Sequence, residues 1–240
     1  MDLAGLDLSE RIRHIDVQGR ALLDDSLRDP NATVPACPGW DGATLALHIG
    51  QVHQFWAWAL RERIDDPNAF QLVEPDGDIG SWAHDQRRAL CDALRSTPPE
   101  TPVWTWSHDQ TAAFIARWQT VEATSHRVDA ADAAGSPFDL EPELAADGIN
   151  TLLYFGLDDP TAGAAAVQGS VHLHCTDTTG EWIVDRDFRV RSEHVKGDAA
   201  LRGRAAEILL ALFRRRPLDS CEIVGDRSVV ERFVAHQDFE

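Results

Sequence analysis

Glu122 and His126 stand four residues apart in the stretch IARWQTVEATSHRVDAADAA, which covers residues 115–134. The stretch contains no Gly or Pro and its last turns are rich in alanine, so its composition favours a helix. On a helix, residues four apart lie about 40° apart on one face. An inward carboxylate is costly unless it is paired with a cation or bound to a metal. The spacing therefore leaves a metal site and a solvated helical pair as alternatives.

A metal held by the protein needs a further ligand, and His48 is the better of two histidines in the helical stretch DGATLALHIGQVHQFWAWAL. His48 lies within the apolar stripe of that stretch, whereas His53 is turned about 140° away from it. Helical bundles commonly build metal sites from inward side chains on facing helices. Two histidines and one carboxylate suit zinc with an open position, and they also suit ferrous iron. Zinc is the metal that we expect.

Long helices must position these residues. Helical periodicity covers residues 8–28, 41–64, 81–96 and 110–134, with a shorter segment at 141–157. Proline-containing breaks such as DPNATVPACPGW and TPPETPVWTW separate the segments. Four long helices predict a four-helix bundle that ends near residue 157.

The pattern changes from about residue 166 to short alternating runs, GSVHLHCTD, GEWIVDRD and DFRVRSEHV, which predict antiparallel strands. A helix through DAALRGRAAEILLALFRR, a strand at CEIVGD and a last helix from RSVVERFV follow. The predicted fold class is therefore a mixed one, with a helical bundle in residues 1–157 and a smaller α+β domain in residues 158–240. His172 and His174 read as exposed strand residues rather than as ligands.

The composition of the chain excludes several kinds of binding partner. Twenty-two Lys and Arg against 40 Asp and Glu give a formal charge of −18, which repels nucleic acid and anionic lipid. The four cysteines form no CxxC pair, and we expect Cys37 to pack rather than to act as a nucleophile. No apolar run approaches the ~20 residues that a bilayer requires, so a cytoplasmic protein without a membrane partner is expected. The oligomeric state stays open.

The stretches VPACPGWDGATLALHIGQVH, VWTW, FIARWQTVEATSHRVDA and LEPELAADGI resemble the mycothiol-dependent maleylpyruvate isomerase family, a branch of the DinB-like metal-binding four-helix bundles. The C-terminal stretches look like that family's α+β domain, which is similar in fold to sterol carrier proteins. The resemblance implies that the family's metal ligands correspond to His48, Glu122 and His126. It also implies a functional arginine after an apolar helix, for which the run Arg214–Arg216 offers candidates, and we favour Arg215.

An open zinc site lowers the pKa of a bound thiol and presents thiolate at neutral pH. The resemblance implies an enzyme with mycothiol as thiol cosubstrate and a small electrophile as substrate, acting as a cis-trans isomerase or as an S-transferase. Arg215 could hold a substrate carboxylate. Two other classes remain, namely a metal-dependent hydrolase with His53 as base and a non-catalytic protein that binds a small apolar ligand.

Overall fold

The computed structural model describes residues 5–155, 157 and 160–236. Its α-helices are α1 Leu8–Ser26, α2 Gly42–Glu62, α3 Ile79–Ser96, α4 Ala112–Ala134, α5 Pro142–Phe155, α6 Pro160–Val167, α7 Ala205–Leu212 and α8 Arg227–His236. Its strands are β1 Val171–Cys175, β2 Glu181–Val184, β3 Val190–Arg191, β4 Ala199–Gly203 and β5 Glu222–Gly225. The predicted order, a helical region followed by an α+β region, is confirmed. Within the described ranges, no helix is long and apolar enough to cross a membrane.

The chain divides into two compact units. One unit is Asp7–Phe138, and the other is Asp139–Glu240 together with the N-terminal residues up to Leu6. The division falls at residue 139, whereas the sequence predicts a boundary near residue 157. The reason is α5, which packs against α7 of the C-terminal unit. The backbone N–H of Leu6 donates to Asp147 Oδ1 on α5, which ties the N-terminal residues to that same unit.

Side-chain caps define where the helices of the N-terminal unit begin. Asp41 accepts a hydrogen bond of 2.8 Å from the N–H of Thr44 at the start of α2. Thr111 accepts one of 3.3 Å from the N–H of Phe114 at the start of α4. Each cap satisfies a backbone donor that has no partner within the helix. The predicted bounds of the first five helices agree with the observed ones to within two residues.

Helix packing in the N-terminal unit fixes the orientation of α2 and α4. α1 packs against both α3 and α4, and α2 packs against α3. The apolar residues that join these helices are fully buried and include Leu22, Leu23, Leu45, Ile49, Ala83 and Ala130. Gly50 permits close approach of α3, since a Cβ at this position would overlap the ring of Trp82. Each buried Leu or Ile stabilises the folded state by about 1.5–3 kcal/mol.

The sheet of the C-terminal unit has the strand order β3-β2-β1-β4-β5. β1 pairs antiparallel with β2 and parallel with β4. The prediction of a helix through residues 198–215 is therefore wrong in its first part, because Ala199–Gly203 forms β4. Ala199 and Leu201 are buried while Arg202 is exposed, so the segment has the alternation of a strand despite residues that favour helices. Pairing with β1 and β5 overrides that local preference.

Candidate metal centre

The structure brings His48 of α2 together with Glu122 and His126 of α4, and we call these three residues the helical cluster. His48 Nε2 lies 3.4 Å from Glu122 Oε1, and His126 Nε2 lies 3.5 Å from the same oxygen. One ligand atom from each residue lies within 4.8 Å of the other two. A single carboxylate oxygen thus faces both imidazoles.

These distances fit a bound divalent metal. A zinc ion with bonds of about 2.0–2.1 Å separates its tetrahedral ligand atoms by roughly 3.4 Å. The two observed distances, 3.4 and 3.5 Å, are close to that value and longer than the usual hydrogen bond of about 2.9–3.0 Å. The rings of His48 and His126 stand edge to face with centroids 5.2 Å apart, so both nitrogens can point at one position. Two imidazoles and one carboxylate are also donors that zinc accepts.

Asp129 fixes the orientation of the His126 ring. Its Oδ2 lies 2.9 Å from His126 Nδ1, and its side chain is fully buried one turn after the histidine. A carboxylate at Nδ1 favours the tautomer whose Nε2 carries the free lone pair, and it increases the basicity of that nitrogen. Sequence reasoning missed this residue, although its position three residues after His126 was a usable signal.

The loop before α2 supplies one wall of the helical cluster. The ring of Trp40 lies 4.8 Å from that of His48 and 6.2 Å from that of His126, measured between centroids. Cys37 Sγ lies 3.7 Å from Asp129 Oδ2 and also bonds to the His126 side chain. His126 is therefore a basic neighbour of Cys37, which the sequence around Cys37 did not reveal. Cys37, His126 and Asp129 also lie close enough together to form an overlapping set of possible metal ligands.

The electrostatics of the helical cluster favour a charged pair when metal is absent. Burial alone would raise the pKa of Glu122, but hydrogen bonds and charges from His126 and His48 outweigh it and hold the pKa below its ordinary value. Burial alone would lower the pKa of His126, but hydrogen bonds to Asp129, Cys37 and Glu122 raise it well above the ordinary value. A metal bound here would displace a proton from His126, so the affinity for the metal would fall as the pH falls.

The helical cluster is partly exposed to solvent. The exposed fractions of the side chains are 32% for His48, 21% for Glu122 and 12% for His126. Three ligands leave at least one coordination position of a zinc ion open. The arrangement can therefore admit a small ligand beside the metal ligands.

His53 occupies a different environment from His48. Its side chain is fully buried, and neither ring nitrogen has a hydrogen-bond partner among the described residues. Burial lowers the pKa of His53 to about 4, against the opposing charge of Glu122 and with the help of His48. The imidazole is therefore neutral at physiological pH. Its complete burial argues against the predicted alternative in which His53 serves as a base for hydrolysis.

Arg215 lies in the C-terminal unit, directly after α7. Its Nη1 donates to the carbonyl of Phe213 at 2.9 Å, and its guanidinium carbon lies 5.9 Å from the centroid of the Phe213 ring. These contacts hold a half-buried guanidinium at the surface of its own unit. Its predicted role in holding substrate stays a prediction.

Comparison with known proteins gives one family. Residues 12–131 match the model of the mycothiol maleylpyruvate isomerase N-terminal domain, and they amount to half of the chain. The matched segment includes all three residues of the helical cluster. No curated protein and no solved structure matches the chain. Since the family match ends at residue 131, the likeness of the C-terminal unit to sterol carrier proteins stays a prediction.

Proposed function

Since the chain belongs to the mycothiol maleylpyruvate isomerase family, we propose that it is a metal-dependent enzyme that uses mycothiol to attack a small electrophile. The observation that carries this proposal is the convergence of His48, Glu122 and His126 at donor distances that suit zinc. Both the family match and the geometry support it.

In this proposal His48, Glu122 and His126 hold the metal. A zinc ion in such an open site lowers the pKa of a bound thiol and presents it as thiolate at neutral pH. Asp129 keeps His126 in the orientation that directs Nε2 toward Glu122. Trp40 packs near both imidazoles, and His48 is the most exposed of the three ligands, so we expect a thiol to reach the metal beside His48.

Two reactions share this first step. In a cis-trans isomerase, the thiol sulfur adds to a conjugated double bond, the resulting single bond rotates, and elimination returns the thiol together with the trans isomer. In an S-transferase, the new carbon–sulfur bond is retained and the product is the S-conjugate. We propose that the chain performs one of these two reactions.

The proposed electrophile is a small carboxylate, held by Arg215. A guanidinium pairs with a carboxylate through two parallel N–H···O bonds, which a lysine cannot reproduce. Arg215→Lys should therefore raise the KM of a carboxylate substrate about tenfold or more while zinc binding stays as it was. Arg202→Lys on β4 is the matched control, because Arg202 is exposed and pairs with Glu222.

The experiment that tests the proposed function uses full-length protein loaded with zinc. Mixed with mycothiol and maleylpyruvate, and then with a panel of small electrophiles, it should give thiol-dependent products by mass spectrometry. An isomer without conjugate identifies an isomerase, and a persistent S-conjugate identifies a transferase. His48→Ala should remove this activity, whereas His108→Ala, at an exposed histidine of the same unit, should retain it.

Two outcomes would contradict the proposal. Turnover that is undiminished without any thiol would favour a metal-dependent hydrolase. Binding of an apolar ligand without turnover of any electrophile would favour a non-catalytic binding protein. The full burial of His53 speaks against the first of these outcomes.

A further inference from the structure

A second group of histidines lies on the sheet of the C-terminal unit. His172 and His174 stand two residues apart on β1, so their side chains lie on the same face. Glu181 on β2 is the direct cross-strand partner of His174 and shares that face. His194 follows β3 and comes from the segment that precedes β4. We call these four residues the sheet cluster.

The ligand atoms of the sheet cluster converge on one carboxylate oxygen. Glu181 Oε1 lies 2.6 Å from His194 Nδ1 and 3.7 Å from His172 Nε2, and it also hydrogen-bonds to His174 Nδ1. One ligand atom from each of the four residues lies within 4.8 Å of the other three. The three imidazole centroids are 5.6–6.3 Å apart, so the rings surround a common position.

His172 supplies an independent indication that this position takes a ligand. Its side chain is nine-tenths buried, and Nε2 makes no hydrogen bond within the part of the chain that the structure describes. The distance of 3.7 Å to Glu181 Oε1 is too long for a hydrogen bond. A buried nitrogen without a partner destabilises the folded state, and a metal ion in front of it would remove that cost.

We propose that His172, His174, Glu181 and His194 bind a zinc ion that is separate from the metal of the helical cluster. Imidazole and carboxylate are both donors that zinc accepts, and four protein ligands close the tetrahedron, as in structural zinc sites. Binding requires Glu181 Oε1 to move from 2.6 Å to roughly 3.4 Å from His194 Nδ1, and the exposed His194 ring can shift to allow this. The ion joins β1, β2 and the segment before β4.

The test is a zinc titration of the full chain without a histidine tag, stripped by chelator and monitored against a chromogenic competitor. Wild type should bind two zinc ions, one in each cluster. The group of Cys37, His126 and Asp129 adds no third site, because it shares His126 with the helical cluster. With the competitor at a concentration that empties a site weakened by loss of one ligand, His194→Ala and His48→Ala should each retain one zinc ion, and the double variant none. His194 is 80% exposed, so its replacement leaves packing intact. His108→Ala is the control and should bind two.

A second readout does not depend on activity. Zinc-edge X-ray absorption of His48→Ala should give nitrogen and oxygen ligands at about 2.0–2.2 Å with several imidazoles and no sulfur. Glu181→Gln should weaken binding to that variant at least tenfold.

The outcomes separate this inference from the proposed function. One zinc ion in wild type that disappears in His48→Ala overturns the sheet site and leaves the helical site standing. One zinc ion that survives in His48→Ala but disappears in His194→Ala supports the sheet site and contradicts the proposed helical one. A wild-type chain that binds no zinc overturns both.

Discussion

The helical cluster and the sheet cluster use the same residue types, but their backbones space these residues differently. In the helical cluster, the carboxylate oxygen keeps 3.4 and 3.5 Å from two imidazole nitrogens. In the sheet cluster, alternation along β1 and the pairing of His174 with Glu181 bring the carboxylate into hydrogen bonds with two imidazoles. The helical cluster offers three ligands and the sheet cluster offers four.

The number of ligands decides what each cluster can do with a metal. Three ligands leave a coordination position for a thiol, whereas four ligands close the tetrahedron and give a structural role. We therefore propose thiol chemistry for the helical cluster and stabilisation for the sheet cluster. Each variant below breaks or sharpens that assignment.

The largest effect is expected from Glu122→Gln, which keeps the shape of the side chain and removes its charge. Loss of an anionic ligand should lower both zinc affinity and thiol-dependent turnover about 100-fold or more. Asp132→Asn, an exposed carboxylate on the same helix, is the control and should match wild type. Turnover of Glu122→Gln within threefold of wild type would show that the helical cluster is not the site of chemistry.

Asp129→Asn should have the next largest effect, because it removes the carboxylate that orients His126. Loss of such a partner typically lowers metal affinity about 10- to 100-fold. Competition with a chelator measures this affinity in the His194→Ala background, where the helical cluster should be the zinc site that remains. An affinity equal to that of His194→Ala itself would mean that Asp129 serves packing alone.

His53 has no hydrogen-bonded carboxylate among the residues that the structure describes, and it provides a reference for the histidines of both clusters. Its folded pKa of about 4 lies below the ordinary value of 6.5, so the unfolded state binds more protons between these values. Its contribution to stability is complete above pH 6.5 and is lost as the pH falls toward 4. At pH 5.5 the loss relative to pH 7.5 should be roughly 1 kcal/mol, and His53→Leu should not show it.

Urea denaturation of metal-free wild type and His53→Leu at pH 5.5 and 7.5 measures how the free energy of unfolding changes with pH. The two clusters are present in both proteins, so their contribution cancels in the comparison. Equal pH dependence of wild type and His53→Leu would indicate that the imidazole of His53 has a hydrogen-bonding partner or access to water.

The smallest effect is expected from Cys37→Ser. Cys37 touches Asp129 and His126, but it is not required as a ligand in the proposed helical cluster. Thiol-dependent turnover should change by less than about fivefold, measured with saturating zinc. A loss of turnover as large as that of Glu122→Gln would indicate that Cys37 is a metal ligand. Both clusters would then have four ligands, and the distinction between an open and a closed site would no longer hold.

Much of the helical unit follows from local signals in the sequence. Proline-containing breaks and capping residues such as Asp41 and Thr111 define where helices begin, so their bounds were predictable. β4 was not predictable in this way, because the residues of Ala199–Gly203 favour a helix. Pairing with the neighbouring strands β1 and β5 makes the segment a strand.

The two clusters were also predictable only where local spacing in the sequence brings their residues together. Helical spacing selected Glu122 and His126, and their convergence with His48 could be anticipated with the help of the family resemblance. The burial argument that preferred His48 was incomplete, since His53 is the more buried of the two. His172 was expected to be exposed, but it is buried and is brought near His194 by the register of the sheet. Such long-range contacts leave no periodic signal in the sequence.

The central claim is that the metal of the helical cluster takes a thiol. Zinc-edge X-ray absorption of the His194→Ala variant, with and without mycothiol, tests it most directly. Without thiol we expect nitrogen and oxygen ligands at about 2.0–2.2 Å, and with saturating mycothiol one added sulfur at about 2.3 Å. An unchanged spectrum at saturating mycothiol, or a sulfur ligand already present before its addition, would contradict the account.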